Sequence, residues 1–232
     1  MTRGRCVRIG VVDIEANIRE VQRRIEGACK RSGRSPDEVT LVAITKGFEI
    51  QSIRAAFDAG IRNFGENRFQ EAERKIAQLS VLRPAVAWHM VGHLQSNKAK
   101  LAIELFDIIH SVDSLRLAEI LNRRVEKIFP IFLEVNVSGE DAKSGFSLRE
   151  VKLAVKRIGQ LTNLKLNGLM TVAPFVTDPE EVRPVFRKLR ELGDSLGLRQ
   201  LSMGMTDDFE VAVEEGTTLL RIGRAIFGDR RQ

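Results

Sequence analysis

The 232-residue chain contains no tyrosine, one tryptophan, two cysteines and six prolines. The missing phenol excludes any mechanism that needs a tyrosine of these residues as proton donor or acceptor. The cysteines, Cys6 and Cys29, are too few for a disulfide framework or a zinc site, and read as reduced thiols of a cytosolic protein. No apolar run approaches the ~18–20 residues that span a bilayer. Residues 1–10 are basic and lack the apolar centre of a secretory signal. No membrane contact and a cytoplasmic location are therefore expected. Neither sign of charge dominates: 37 Lys and Arg stand against 31 Asp and Glu, a net +6. The charges interleave, as where Arg187, Lys188 and Arg190 sit among Glu180, Glu181, Glu191 and Asp194. One basic cluster, Arg23, Arg24, Lys30, Arg31 and Arg34, encloses only Glu26. It reads as a solvated helix face before a polyanion site, so nucleic acid is not the expected partner.

What is present describes an ordinary globule, with 43% hydrophobic and 29% charged residues. Residues 13–31 carry Ile14, Ile18, Val21, Ile25 and Ala28 near a 3.6-residue period, which predicts a helix. Residues 32–37 form a loop, and the β-branched run 39–45 predicts a buried strand ending on Lys46. From there strands and helices alternate. Strands are expected at 61–64, 86–91, 107–111, 130–137, 164–170, 199–203 and 217–222. Helices are expected at 50–57, 68–79, 97–105, 115–127, 148–159 and 181–196, the last becoming regular near Pro184. Eight strands with helical crossovers mean a parallel sheet, and eight is the number that closes a (β/α)8 TIM barrel of roughly 250 residues. An open doubly wound sheet would need a phosphate-binding glycine pattern after the first strand, where T-K-G-F stands instead. The expected fold is α/β: a single barrel domain over 39–228, an extra N-terminal helix over 13–31 and a tail over 1–12.

Barrels carry their sites at the C-terminal ends of the strands. That rule selects Lys46, Asn67, His93 with Gln95, Ser111 with Asp113, Asn136, Met170 with Thr171, Ser202 to Thr206, and Arg221 with Gly223. Lys46 ends an apolar strand, where desolvation favours a neutral, nucleophilic amine suited to a Schiff base. The plain alternative is a rim lysine that snorkels to water. After strands seven and eight, S-M-G-M-T and R-I-G-R turn toward helices, the usual place for a barrel phosphate. Ser202 and Thr206 hydroxyls would join backbone amides there, with Thr206 as a helix N-cap. Asp207 and Asp208 in that first turn disfavour an anion unless they point away, so the Gly223 and Arg224 amides are the main expected cradle. The plain alternative is two ordinary strand-to-helix turns. A lysine and a phosphate cradle in one mouth suit pyridoxal 5′-phosphate or a phosphorylated sugar. No metal is expected from His89, His93 and His110. His89 and His93 are four strand residues apart, about 13 Å, and a strand histidine is more often a hydrogen-bonded core residue.

Eight segments occur in order at these strand ends: V-A-I-T-K-G (42–47), F-G-E-N-R (64–68), W-H-M-V-G-H-L-Q-S-N-K (88–98), H-S-V-D-S (110–114), E-V-N-V-S-G-E (134–140) with K-S-G-F (143–146), G-L-M-T-V-A-P (168–174), L-S-M-G-M-T-D-D-F (201–209) and L-R-I-G-R-A-I-F-G (220–228). In these the chain resembles the pyridoxal phosphate homeostasis proteins, over nearly its whole length. The resemblance implies a barrel like the N-terminal domain of alanine racemase, with pyridoxal 5′-phosphate carried as a Schiff base on Lys46. It implies that Arg221 faces the pyridine nitrogen, that the Gly223 amide meets the phosphate, that Ser202 belongs to the phosphate end and that Asn67 lies beside the cofactor. Thr206 departs from the serine frequent in the family but keeps the hydroxyl.

A guanidinium only donates hydrogen bonds. A pyridine nitrogen facing Arg221 must then accept, which weakens the ring as an electron sink and leaves simple imine exchange. The resemblance therefore implies a carrier in pyridoxal phosphate homeostasis, with no catalytic residue. Amino acids and pyridoxal phosphate-dependent apo-enzymes are its candidate partners, and the expected state is a monomer. The alternative is an amino-acid racemase. It lacks the tyrosine that alanine racemases take from an additional domain, and would have to use Lys46 with His93 or water.

Overall fold

The β-branched runs close into one ring. The structure, a computed structural model, describes residues 12–140 and 144–229. Cys6, Lys143 and all of the expected tail except Val12 lie outside the described residues. The strands are β1 (Thr40–Ile44), β2 (Asn63–Glu66), β3 (Ala87–Met90), β4 (Ile108–Val112), β5 (Phe129–Asn136), β6 (Phe146–Ser147), β7 (Leu164–Met170), β8 (Gln200–Ser202) and β9 (Leu219–Ile222). Their order is β4-β3-β2-β1-β9-β8-β7-β5-β6, with β4 also pairing β5. Eight parallel strands therefore close a TIM barrel, and two-residue β6 hangs on the upper end of β5 outside the ring. The helices are α1 (Ile14–Ser32), α2 (Ile50–Asp58), α3 (Phe69–Gln78), α4 (Ala99–Leu105), α5 (Leu115–Arg124), α6 (Val151–Ile158), α7 (Arg183–Leu196), α8 (Phe209–Glu214) and α9 (Arg224–Phe227).

Two cores result. The larger lies between sheet and helices, filled by residues such as Phe64, Trp88, Phe106 and Phe186. A smaller one, Val42, Ile44, Phe132, Met170 and Leu219, sits inside the barrel. Polar side chains occupy the rest of that interior.

The extra helix is α1, capped by the Asp13 carboxylate, which accepts from the Ala16 amide at 2.9 Å, and ended by Gly33 at φ 68°. At that angle glycine avoids the Cβ penalty. Its apolar stripe packs on α8 and α9. The arginines of the basic cluster meet carboxylates, two of them along the border with α8: Arg23 with Glu20 at 2.7 Å, Arg24 with Glu210 at 2.7 Å and Arg31 with Glu214 at 2.6 Å. Arg34 bonds Glu38 at 3.1 Å.

Several boundaries differ from the sequence expectation. β2 begins at Asn63, not residue 61. Ile61 is buried beneath α2, its amide bonded to the Ala56 carbonyl at 3.0 Å as part of that helix's exit. Apolar character there reflects helix packing, not strand pairing. The helix expected from residue 148 starts at Val151, after Ser147 and Glu150 bond each other across a turn. Thr206 is not a helix N-cap: α8 starts at Phe209 with Asp208 at its cap.

Candidate functional site

At the C-terminal rim a cavity of about 480 Å³ opens, lined by Lys46, Asn67, Thr206, Arg221, Gly223 and Arg224 among others. Six of the seven site residues expected from sequence thus meet around one space. The barrel makes the meeting possible, because β1 and β9 are neighbours with Val42 opposite Arg221.

Lys46 follows the buried end of β1 and is half-buried. Its flanking peptides are held firmly. The Thr45 amide donates to the Gly65 carbonyl at 2.9 Å. The Thr45 hydroxyl donates to Glu66 at 2.6 Å. Lys75, from α3, donates to the Thr45 carbonyl, to Glu66 at 2.9 Å and to Glu71 at 2.6 Å. Glu71 in turn accepts from the Gly47 amide. Gly47 sits at φ 76°, where a side chain would be strained. A buried ion-pair network therefore clamps the turn that carries Lys46. Burial pushes the Glu66 carboxyl up, against the lowering effect of Thr45 and Lys75.

Asn67 comes next to that clamp. Gly92 lets it sit there, since a Cβ at 92 would stand 2.2 Å from the Asn67 carbonyl oxygen. The Asn67 Oδ1 is buried with no hydrogen-bond partner among the described residues. An orphaned acceptor at a cavity wall is a position for a ligand donor or water.

Arg221 is 5% exposed. Its Nη1 donates to the Ser202 hydroxyl at 2.7 Å and its Nη2 to the Thr171 carbonyl at 2.8 Å. Burial pulls its pKa down to about 10, opposed by the nearby Asp208 and Glu134 carboxylates. It stays a cation at neutral pH, and donors not used by Ser202 and Thr171 remain for the cavity it lines.

Ser202 departs from the expected placement. It is fully buried and does not line the cavity. Its oxygen lies 2.8 Å from His110 Nδ1 and accepts from Arg221, so its side chain serves the guanidinium. Thr206 does reach the cavity, and its hydroxyl accepts from the Ala225 amide at 3.4 Å. The two acids that weighed against an anion are both engaged. Asp207 pairs with Arg224. Asp208 is buried and accepts from the Met205 amide at 2.6 Å.

The histidines divide. His93 pairs with Asp113 at 3.0 Å on the rim. His89 and His110 lie inside the barrel, with His89 Nδ1 2.9 Å from His110 Nε2 and His89 Nε2 3.1 Å from Asn63 Oδ1. Phe132 stacks on His110 with 4.5 Å between centroids. Among the described residues no three His, Cys, Asp or Glu side chains form a group able to hold a metal ion. Sequence reasoning missed the Asn63, His89 and His110 group. The available signal was strand parity, because these residues face the same interior as Arg221.

The barrel, with Lys46 at the end of its first strand and Arg221 on its last, also matches a known family by sequence. The profile of that family, "Alanine racemase, N-terminal domain", matches residues 11–231. Among curated proteins the chain is 41% identical over 220 residues to the pyridoxal phosphate homeostasis protein of Aquifex aeolicus, covering 91% of this chain and 96% of that one. It is 40% identical over 231 residues to the one of Escherichia coli K12, covering 94% and 97%. The chain belongs to the pyridoxal phosphate homeostasis protein family. The solved structure of PipY from Synechococcus elongatus with pyridoxal phosphate bound superposes with a TM-score of 0.81 at 35% identity, covering 93% of this chain and 100% of that one. Alanine racemase from Corynebacterium glutamicum superposes at 0.70 with 15% identity, covering 94% of this chain and 61% of that one, a likeness of fold alone.

Proposed function

We propose that this protein binds pyridoxal 5′-phosphate in the barrel mouth, holds it as a Schiff base on Lys46, and serves pyridoxal phosphate homeostasis as a carrier. The observation that carries this is the placement of Lys46 and Arg221 on neighbouring strands around one cavity. The curated relatives bear the homeostasis name, and PipY has been solved with the cofactor. The residues also fit the group: Asn67, whose buried Oδ1 lacks a partner among the described residues, and Arg221, with donors left unused, both line the space.

When bound, pyridoxal 5′-phosphate supplies an aldehyde that condenses reversibly with a primary amine. Lys46 provides the amine, on a turn fixed by Glu66, Lys75 and Glu71. Arg221 donates a hydrogen bond and cannot accept one, so the atom it meets stays unprotonated. Gly223, Arg224 and Thr206 would hold the phosphate, and Asn67 would lie beside the ring. Ser202 contributes through Arg221. A carrier role is supported by the relatives' names, by Arg221 lining the cavity as a group that only donates, and by the absence of tyrosine from the sequence. We place the protein in the cytosol as a single-domain monomer, with amino acids and apo-enzymes of pyridoxal phosphate as exchange partners. Among the described residues no helix is long and apolar enough to cross a membrane.

The purified protein mixed with pyridoxal phosphate should show a visible absorption band that Lys46→Ala removes. Borohydride should fix the cofactor mass on Lys46 in the parent protein alone. An unchanged spectrum in the variant would sink the site. Robust, Lys46-dependent turnover in a chiral assay over the common amino acids would replace the carrier with a racemase.

A further inference from the structure

The interior polar residues form one continuous chain along the barrel axis. It runs from Thr171 and Arg221 through Ser202, His110 and His89 to Asn63, each step between 2.7 and 3.1 Å. One end borders the mouth cavity through Arg221. The other borders a second cavity, of about 700 Å³, lined by Asn63, His89, Thr40 and Gln200. Thr40, Asn63 and Gln200 begin their strands, so the chain runs from the mouth toward the opposite end of the barrel.

Its direction follows from the chemistry of each group. Arg221 can only donate, so Ser202 accepts. The Ser202 hydroxyl proton then goes to its other neighbour, and His110 Nδ1 accepts it. A neutral His110 carries its proton on Nε2 and donates to His89 Nδ1. A neutral His89 likewise carries its proton on Nε2 and donates to Asn63 Oδ1. The reverse direction would leave the Ser202 proton without an acceptor and require the Asn63 amide to turn over. Burial keeps both rings neutral, with His89 pulled to about 4 and His110 well below its ordinary value, the latter also through His89 and Arg221. A protonated His110 would donate from Nδ1, competing with Arg221 for the Ser202 oxygen and setting a second cation beside the guanidinium.

We propose that His110 and His89, anchored by Asn63, are positioning residues. They pin the Ser202 hydroxyl as an acceptor, which fixes the Arg221 guanidinium and aims its remaining donors at an acceptor atom in the mouth. This rests on the reading that pyridoxal phosphate occupies the mouth. The polarised chain makes Arg221 the sole cation of the group and keeps the bound acceptor unprotonated. Phe132 holds the His110 ring by stacking, so the orientation is set from two directions. The carboxylates facing Arg221 from other strands and loops, Glu134 and Asp208, act on its charge and not on the direction of the chain.

The tautomers are tested first, on the protein without cofactor. Nitrogen-15 NMR of the imidazoles at pH 7 should find His89 and His110 neutral with the proton on Nε2. A proton on His110 Nδ1 would overturn the proposal whether or not pyridoxal phosphate binds. The positioning role is tested on protein loaded with pyridoxal phosphate. His110→Phe keeps the stack and loses the hydrogen bonds. It should move the visible band and weaken binding roughly tenfold, the scale of one reoriented charge-assisted hydrogen bond, while borohydride still labels Lys46. His110→Gln can accept from Ser202 and donate to His89, and should restore both readings. Asn63→Leu, far from the mouth, should move the band in the same direction, and serves alone if His110→Phe does not fold. A folded His110→Phe or Asn63→Leu with the parent band and affinity would overturn the positioning role. Loss of Lys46 labelling in the parent protein would instead strike the cofactor reading and leave the tautomer result standing.

Discussion

His89 is 1% exposed and bounded by His110 and Asn63. Its pKa is drawn by burial from 6.5 to about 4. Between those values the unfolded chain binds a proton that the folded chain refuses. The stability present above pH 6.5 is therefore lost progressively as pH falls toward 4, on the order of 3 kcal/mol in all and about 2 kcal/mol by pH 5. Buried carboxyls with raised pKa, Glu66, Glu134 and Asp208, act in the opposite sense. They are common to parent and variant, so the difference isolates the ring. Urea midpoints at pH 7 and pH 5 should fall less steeply for His89→Gln than for the parent protein, and equal slopes would remove His89 from the acid response. The sequence reading of His89 as a hydrogen-bonded core residue holds. Its partners were not legible, because His110 lies 21 residues away and Asn63 lies 26 residues away, each on a different strand.

Among the elements, α3 and β2 together hold the end of β1. Lys75 is 8% exposed and touches Glu66, Glu71 and the Thr45 carbonyl. Removing one partner of a buried ion pair leaves an uncompensated charge, which costs roughly 3–5 kcal/mol. Lys75→Met should lower the urea midpoint accordingly, and Lys75→Met with Glu66→Gln should recover part of the loss. A single variant as stable as the parent would show that the clamp carries no energy. The motif F-G-E-N-R pointed to Asn67 and not to Glu66, and Lys75 looked like any charge on an amphipathic helix. Only the packing of α3 on β2 turns it inward, toward Glu66 and the Thr45 carbonyl.

For the whole molecule, the barrel closes where β1 meets β9, joining Lys46 to Arg221 across most of the chain. A ligand gripped by both binds the closed barrel and not the unfolded chain. At about a hundredfold above its dissociation constant it should add about 2.7 kcal/mol. For a chain of this size that corresponds to a rise of roughly 5–10 °C in the thermal midpoint. Pyridoxal phosphate should produce this rise in the parent protein, and Lys46→Ala or Arg221→Ala should reduce it. A midpoint indifferent to the cofactor would count against a site spanning the closure.

The strand-and-helix rhythm came from local pattern, since short β-branched runs and 3.6-residue stripes are properties of neighbouring residues. So did the barrel, because eight such units leave few parallel arrangements. Strand-end position likewise singled out Lys46, Asn67, Thr206, Arg221, Gly223 and Arg224, whose shared cavity the folded chain displays. The two-residue strand β6 carries too little pattern to be read. The placement of Ser202 was decided by tertiary structure alone. Its position at the end of β8 suggested an anion, but the register of β8 against its neighbours turns its hydroxyl to His110 and Arg221. Hydrogen bonds spanning 92 and 19 residues exist only once the barrel has closed, because closure is what brings the interior faces of separate strands within reach.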